Sequence, residues 1–354
     1  MLFDLPDPQT LYSALVARDP AYDGVAYVCV TSTGIFCRLS CPARHPKPEN
    51  CRFYATPSEC IESGFRPCKR CHPLAPMAQK DPIVARLLDA LDKSPAYRWS
   101  EQDIVRLGLD LSTVRRVFKR HFGMTFLDMA RHRRLREGFT TLGEGGRVVD
   151  AQVTAGFESP SAFRAAFARL LGRAPSAFST TALLKADWIE TPLGAMIGVS
   201  CTHRLHLLEF IDRKALPREL SKLEKAVPGG VGLGRLGPTD QIASELASYF
   251  SGNAARFATP VQLHGTAFER EVWRALMQIP AGETRSYSQL AHDIGRPTAT
   301  RAVARANGVN QLAIIVPCHR VLGADGALTG YGGGVWRKQR MIEIESGFAV
   351  ARRS

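Results

Sequence analysis

Seven of the nine cysteines lie before residue 72, and four of them are spaced as Cys37-x3-Cys41 and Cys68-x2-Cys71. Two pairs at this spacing can supply four thiolates to one tetrahedral zinc, and they match no common iron–sulfur pattern. One Zn2+ held by Cys37, Cys41, Cys68 and Cys71 is therefore expected. That set alone suits a purely structural clamp. Arg38, Arg44, His45, Lys47, Arg66, Lys69 and Arg70 crowd the ligands, however, and a clamp has no use for them. A site that meets phosphate does. Cys29, Cys51 and Cys60 fall outside the ligand pattern and read as core or idle thiols.

The composition changes twice along the chain. Pro73, Pro76 and Pro82 close the cysteine-rich part, and residues 83–178 are rich in Arg and helix formers. Residues 186–258 carry short strand patterns: Ile189–Ser200 reads as two strands around a proline turn, and Leu205–Ile211 as a third. Helices resume at Thr266, and Leu312–Val316 reads as a buried strand. A chain of 354 residues holds roughly two to four domains. The net charge of +13 points to a polyanionic partner. The opening residues show no leader pattern, and no apolar run approaches the roughly 18 residues of a membrane span. The expectation is a cytoplasmic protein with reduced thiols and no membrane partner.

The middle region repeats itself. Phe118 and Phe167 are 49 residues apart, as are Gly123 and Gly172. In the first unit Ser100-Glu-Gln-Asp103 makes a capping box, Gly108 breaks the helix, and a second helix starts near Asp110 or Ser112. Val114, Val117 and Phe118 fall on its apolar side, with Arg115, Arg116, Lys119 and Arg120 outward. In the second unit Gly156 is the break, and Ser159-Pro160 is an N-cap with a first-turn proline. Phe163, Phe167, Leu170 and Leu171 form the stripe, with Arg164 and Arg169 off it. Tandem helix-turn-helix units can enter successive major grooves. A plain helical bundle with solvated arginines has the same periodicity.

Gly156-Phe-Glu-Ser-Pro-Ser-Ala-Phe163 with Gly172-Arg-Ala-Pro-Ser-Ala-Phe178, and Phe118-Lys-Arg-His-Phe-Gly-Met-Thr125, resemble the two halves of the AraC-type DNA-binding domain. Ser112, Arg115, Arg116, Ser161 and Arg164 are its implied DNA contacts. Thr31-Ser-Thr-Gly-Ile-Phe-Cys37-Arg and Gly64-Phe-Arg-Pro-Cys68-Lys-Arg-Cys71 resemble the N-terminal domain of the Ada family. That resemblance implies that zinc-bound Cys37 accepts a methyl group from a DNA methylphosphotriester, with Arg38, Arg44, Arg66, Lys69 and Arg70 on the DNA.

Pro317-Cys318-His319-Arg320 resembles the acceptor motif of the O6-alkylguanine-DNA alkyltransferases. The likeness extends through Gly265–Phe268, Ile279–Tyr287, Arg301–Val303, Asn310 and Gly330–Gly334, with Gly332 standing where many relatives carry Ser or Thr. It implies that Cys318 attacks the alkyl carbon and that His319, bridged by water and held by Glu345, takes the thiol proton. Asn310 braces the turn, Tyr287 assists the leaving guanine, and Arg301 fills the gap left by the extruded base. Thr266-Ala-Phe-Glu269 and Ser286-Tyr-Ser-Gln289 read as capping boxes, Thr298–Asn307 as a helix, and Cys201 as core; the resemblance implies that the Thr298–Asn307 helix enters the minor groove.

The expected fold class is multidomain α+β. It comprises a small zinc-binding α/β domain (1–80), an all-α AraC-type tandem helix-turn-helix domain (81–183), a ribonuclease-H-like α/β subdomain (184–258) and a helical, winged-helix-like alkyltransferase domain (259–354). The implied function is irreversible methyl transfer from methylphosphotriesters to Cys37 and from O6-methylguanine or O4-methylthymine to Cys318, with methylation of Cys37 switching on transcription. Expected partners are double-stranded DNA, alkylated or promoter, and RNA polymerase. The expected state is a monomer with no organic cofactor. An AraC-type regulator with vestigial repair domains is the alternative.

Overall fold

The computed structural model describes all residues except 1–4, 20–21, 24–25, 56–58, 61–62, 72, 74–81, 325–329 and 352–354. Two units interleave along the chain: residues 1–80, 275–308 and 317–354 form one, and 81–274 with 309–316 the other. The boundary expected near residue 80 lies outside the described residues.

In the first unit, α1 (Pro8–Ala17) starts where the Asp7 carboxylate accepts the N–H groups of Gln9 and Thr10, with Pro8 in the first turn. It buries Leu11, Ala14 and Leu15. Strands β1 (Tyr27–Val30), β2 (Ile35–Arg38), β3 (Cys51–Tyr54) and β4 (Arg66–Pro67) form a sheet in the order β3-β1-β2-β4, with β4 parallel to β2 and the other pairs antiparallel. Alternation along β2 puts Phe36 with Tyr27, Cys29 and Cys60, and puts Cys37 with the α1 core. Cys29 and Cys60 are fully buried, as expected, whereas Cys51 is half-buried and donates to the Lys47 carbonyl.

The second unit opens with α2 (Pro82–Lys93), α3 (Glu101–Arg106), α4 (Leu111–Phe122), α5 (Phe126–Gly143), α6 (Val148–Thr154) and α7 (Pro160–Leu171). The Ser100–Asp103 capping box forms, Asp110 caps α4 and Ser159 caps α7. Gly123 and Gly172 end α4 and α7 at φ 69° and 79°, a left-handed cap that a Cβ disfavours. This is the reason the two glycines repeat in register with the phenylalanines. A sheet follows: β5 (Leu184–Ile189), β6 (Met196–Ser200), β7 (Leu205–Phe210) and, after α8 (Leu216–Ala226), β8 (Val231–Leu233). Its order is β7-β6-β5-β8, with only β8 parallel to its neighbour. Then come α9 (Gly237–Phe250) and α10 (Ala267–Met277), the latter opened by the Thr266–Glu269 box.

One core runs through helices and sheet. Phe139 of α5 stacks on Phe167 of α7 at 6.1 Å and meets the Trp188 ring of β5 edge-on at 5.9 Å. Leu171, Leu216, Leu220 and Ile197 belong to the same cluster. Arg173, just past α7, pairs with Glu224 of α8.

Two expectations need correction here. Leu312–Val316 is a buried turn, not a strand. Only Leu312 bridges to Leu208, and Ile314 sits at φ 72°. The Asn310 amide holds the turn by accepting the Leu312 N–H and donating to the Val316 carbonyl. Cys201 lies just past β6 rather than within it, and packs against the core only partly buried, with its Sγ 3.3 Å from His206 Nε2.

The first unit resumes with β9 (Arg285–Ser286), α11 (Tyr287–Asp293), α12 (Thr300–Gly308), β10 (Val321–Leu322) and α13 (Val335–Ala351), with β9 and β10 parallel. The Ser286–Gln289 capping box opens α11. Among the described residues, no helix is long and apolar enough to cross a membrane.

Candidate functional site

Four sulfurs converge in the N-terminal sheet domain. Cys37 comes from β2, Cys41 from the turn after it, Cys68 and Cys71 from the segment after β4, and their Sγ atoms all lie within 4.8 Å of one another. The Arg38 N–H faces Cys71 Sγ and the Arg70 N–H faces Cys68 Sγ, each at 3.4 Å. Backbone donors aimed at sulfur favour thiolates. Hydrogen bonding among the thiols pushes Cys37 above the ordinary thiol range and Cys41 below it. The donor set fits a divalent cation of zinc's preference. Arg44, Arg66, Lys69 and Arg70 are exposed around it. Arg38 is not: at 9% exposure it is buried, near enough to Glu343 to hold down that carboxyl's rise, and the exposed basic rim consists of the other four.

Cys318 is 7% exposed and opens a single 3-10 turn, Cys318–Arg320, immediately after Pro317. His319 beside it is fully buried, and its Nε2 lies 2.8 Å from Glu345 Oε1 on α13. That contact assigns the proton to Nε2. Nδ1 is then a lone-pair acceptor, buried and without a hydrogen-bond partner among the described residues. Burial keeps His319 below the ordinary imidazole range, hence neutral at rest, although Glu345 opposes the shift. Burial pushes Glu345 the other way, but His319 and the bidentate Arg320, at 2.8 Å from both carboxylate oxygens, hold it ionised below the usual carboxylate range. Tyr287 is raised by burial and by nearby Cys318, so its phenol keeps its proton and can donate it. Arg301 is exposed on α12. Asn310, 3% exposed, holds the turn that leads into Pro317.

In the middle domain Ser112, Arg115 and Arg116 of α4 and Ser161 and Arg164 of α7 are exposed, while Val114, Val117, Phe118, Phe163 and Phe167 are buried. Both second helices thus keep a polar, cationic face free.

Three family descriptions match the chain in order: the metal binding domain of Ada over residues 10–73, a helix-turn-helix domain over 105–181, and the 6-O-methylguanine DNA methyltransferase DNA binding domain over 267–347. The bifunctional transcriptional activator/DNA repair enzyme Ada of Escherichia coli (strain K12) is 36% identical over 357 residues, covering 97% of both chains. The chain belongs to the Ada family. Its C-terminal part is also similar to the methylated-DNA–protein-cysteine methyltransferase of Mycolicibacterium paratuberculosis, 55% identical over 159 residues, which are 44% of this chain and 89% of that one. The crystal structure of Mycobacterium tuberculosis O6-methylguanine methyltransferase covers 46% of this chain and 93% of its own, at 39% identity and a TM-score of 0.41.

Sequence reasoning on this Ada-family chain missed three residues at the C-terminal site. Lys338 of α13 is fully buried, donates to the Val321 carbonyl at 2.6 Å and is lowered to about 8 by burial, an effect that the nearby Cys318 opposes. Asn307 of α12 donates to the Cys318 carbonyl at 3.4 Å. Arg320 carries the Glu345 ion pair. A signal for Lys338 was available. It shares an i, i+3, i+4, i+7 stripe with Met341, Ile342 and Glu345, so two charges interrupt an otherwise apolar face.

Proposed function

We propose that this chain is a bifunctional, single-turnover DNA methyltransferase and transcriptional activator, with Cys318 and Cys37 as its two acceptors. The observation that carries the C-terminal half is the arrangement around His319: Nε2 tied to Glu345, Nδ1 buried with an open lone pair, and Cys318 next in sequence. In the proposed step the Cys318 sulfur forms a bond to the methyl carbon of O6-methylguanine (or O4-methylthymine) as the carbon–oxygen bond breaks. The thiol proton passes to His319 Nδ1, directly or through one water. Tyr287 protonates the departing base, Lys338 and Asn307 favour the thiolate and its turn, and Arg301 occupies the space the base vacates.

At the other end Cys37, Cys41, Cys68 and Cys71 would hold one Zn2+, which keeps the sulfurs deprotonated at neutral pH. The Cys37 sulfur takes the methyl carbon and the phosphodiester leaves as an anion, so no proton moves. The site charge falls from −2 to −1. Removing one unit of repulsion against a phosphate roughly 6 Å away, at an effective dielectric of about 20, is worth about 2–3 kcal/mol before screening by salt, or roughly 30- to 150-fold in DNA affinity. Arg44, Arg66, Lys69 and Arg70 would meet the backbone, and Ser112, Arg115, Arg116, Ser161 and Arg164 the promoter grooves. RNA polymerase is the proposed downstream partner, and a cytoplasmic monomer the proposed state. We assign domains to residues 1–80, 81–183, 184–258 and 259–354, the last two ribonuclease-H-like and winged-helix-like.

Mass mapping after incubation with DNA bearing methylphosphotriesters and O6-methylguanine tests this. One added CH2 is expected on each of Cys37 and Cys318, and none after incubation with plain DNA. Promoter affinity should rise on methylation of Cys37. Equal affinity of the methylated, unmodified and Cys37→Ala forms would remove the switch. An unmodified Cys318 would favour the vestigial-repair reading.

A further inference from the structure

The turn that delivers Cys318 is strained. Ile314 is β-branched, and at φ 72° its Cβ crowds its own backbone. Such a residue persists only where its surroundings over-determine it. The Asn310 side chain supplies part of that restraint through Leu312 and Val316. Strand β7 supplies another part: the Leu208 N–H donates to the Gln311 carbonyl at 2.9 Å, and the Leu208 carbonyl accepts the Ala313 N–H at 2.8 Å.

A third restraint comes from charge. Arg213, just past β7, sends Nη1 to the Asn310 carbonyl at 2.9 Å. The same nitrogen meets the Glu209 carboxylate of β7 and lies 3.2 Å from Glu219 Oε1 on α8. The Arg213, Glu209 and Glu219 side chains are 9%, 2% and 6% exposed. Burial lifts Glu219 to about 7 although Arg213 opposes the rise, and burying a guanidinium with this acid and the Glu209 carboxylate costs stability that well-packed apolar residues would not. Beyond its own pairing the trio holds the Asn310 carbonyl through Arg213 and the Phe210 N–H through Glu209.

We propose that Arg213, held by Glu209 and Glu219, is a positioning residue for alkyl transfer. It anchors the backbone of Asn310 so that the Asn310 side chain can hold the strained Ile314 turn, and with it the entry of Pro317 and Cys318 into the site. The inference rests on Cys318 being the acceptor. It names a remote determinant of the transfer rate that touches neither DNA nor the reacting atoms.

The experiment measures, on the full-length zinc-loaded chain, the affinity for an O6-methylguanine duplex and the first-order rate of methyl appearance on Cys318 at saturating DNA. Arg213→Met should slow transfer at least tenfold, with duplex affinity and methylation of Cys37 unchanged. Arg213→Lys should restore the rate to within threefold, since one ammonium has three donors for the three acceptors that Nη1 serves. If R213M melts early, the triple change R213M/E209Q/E219Q removes the cluster without stranding a buried charge, and the same slowing is expected. Transfer within twofold of wild type in a folded R213M or triple variant overturns the proposal. So does a loss that appears wholly as weaker DNA binding. Failure of the acceptor assignment looks different: wild type itself would then carry no methyl on Cys318.

Discussion

Replacing Glu345 with Gln tests the proton path to its base. The carboxylate, 1% exposed, accepts His319 Nε2–H and both Arg320 Nε and Nη2, all at 2.8 Å, and lies 3.4 Å from the Gly282 N–H. An amide keeps one acceptor oxygen and turns an NH2 group toward these donors. The Arg320 charge then stays buried with no counter-ion among these contacts. Breaking a buried pair from one side costs about 3–5 kcal/mol. At about 2–4 °C per kcal/mol for a unit of roughly 150 residues, melting should fall by roughly 6–20 °C. His319 also loses the partner that fixes its tautomer, so Nδ1 is no longer reliably the acceptor. General-base assistance is worth about 100- to 10,000-fold, and Glu345→Gln should forfeit at least the lower figure. Intact-protein and peptide mass spectrometry after timed mixing with O6-methylguanine DNA measures the Cys318 rate. Methylation of Cys37 from phosphotriester DNA is the internal control and should not change. If E345Q transfers within threefold of wild type at a temperature where it is folded, the His319–Glu345 pair does not carry the proton.

The same carboxyl makes an acid-stability prediction. Held below the ordinary value of about 4.3, it contributes stability that is complete above that pH and lost as pH falls toward its folded value. Acid titration of wild type should show this loss, and E345Q should lack it. Lys338→Met should raise the pH midpoint for iodoacetamide labelling of Cys318, because the buried ammonium beside the sulfur favours its anion. Stripping zinc with a chelator should unfold the N-terminal sheet and abolish transfer to Cys37, as circular dichroism and mass mapping would report, while Cys318 still reacts. Trp188→Ala should cost about 3–5 kcal/mol and lower the melting of the helix-turn-helix helices and the β5–β8 sheet together.

The parts of the site legible in the sequence are those whose chemistry is local. Pro317-Cys318-His319 and the two cysteine pairs each place donors a few residues apart, and the capping boxes and the Gly123/Gly172 repeat announce helix ends in the same way. Leu312–Val316 misled because five apolar residues in a row look like a buried strand. The Asn310 side chain curls the segment by taking its backbone hydrogen bonds, and nothing within the run reveals that. Arg213 was illegible for a stronger reason: its partner carbonyl lies 97 residues away. Arg38 reads in the sequence like the other basic residues beside the cysteines, and its burial at 9% exposure depends on tertiary packing that the local sequence does not show.

The stacking of Phe139 and Phe167 against Trp188 bears on how such chains can evolve. A regulator that gained its repair half by simple gene fusion would join the two through a tether, and either half could later be traded. Here the seam is greasy and interlocked, so a crossover in the short stretch between Phe178 and Leu184 would strand aromatic rings in water on both products. Lineages that swap one half must first rewrite the face of α5 and α7 in polar residues.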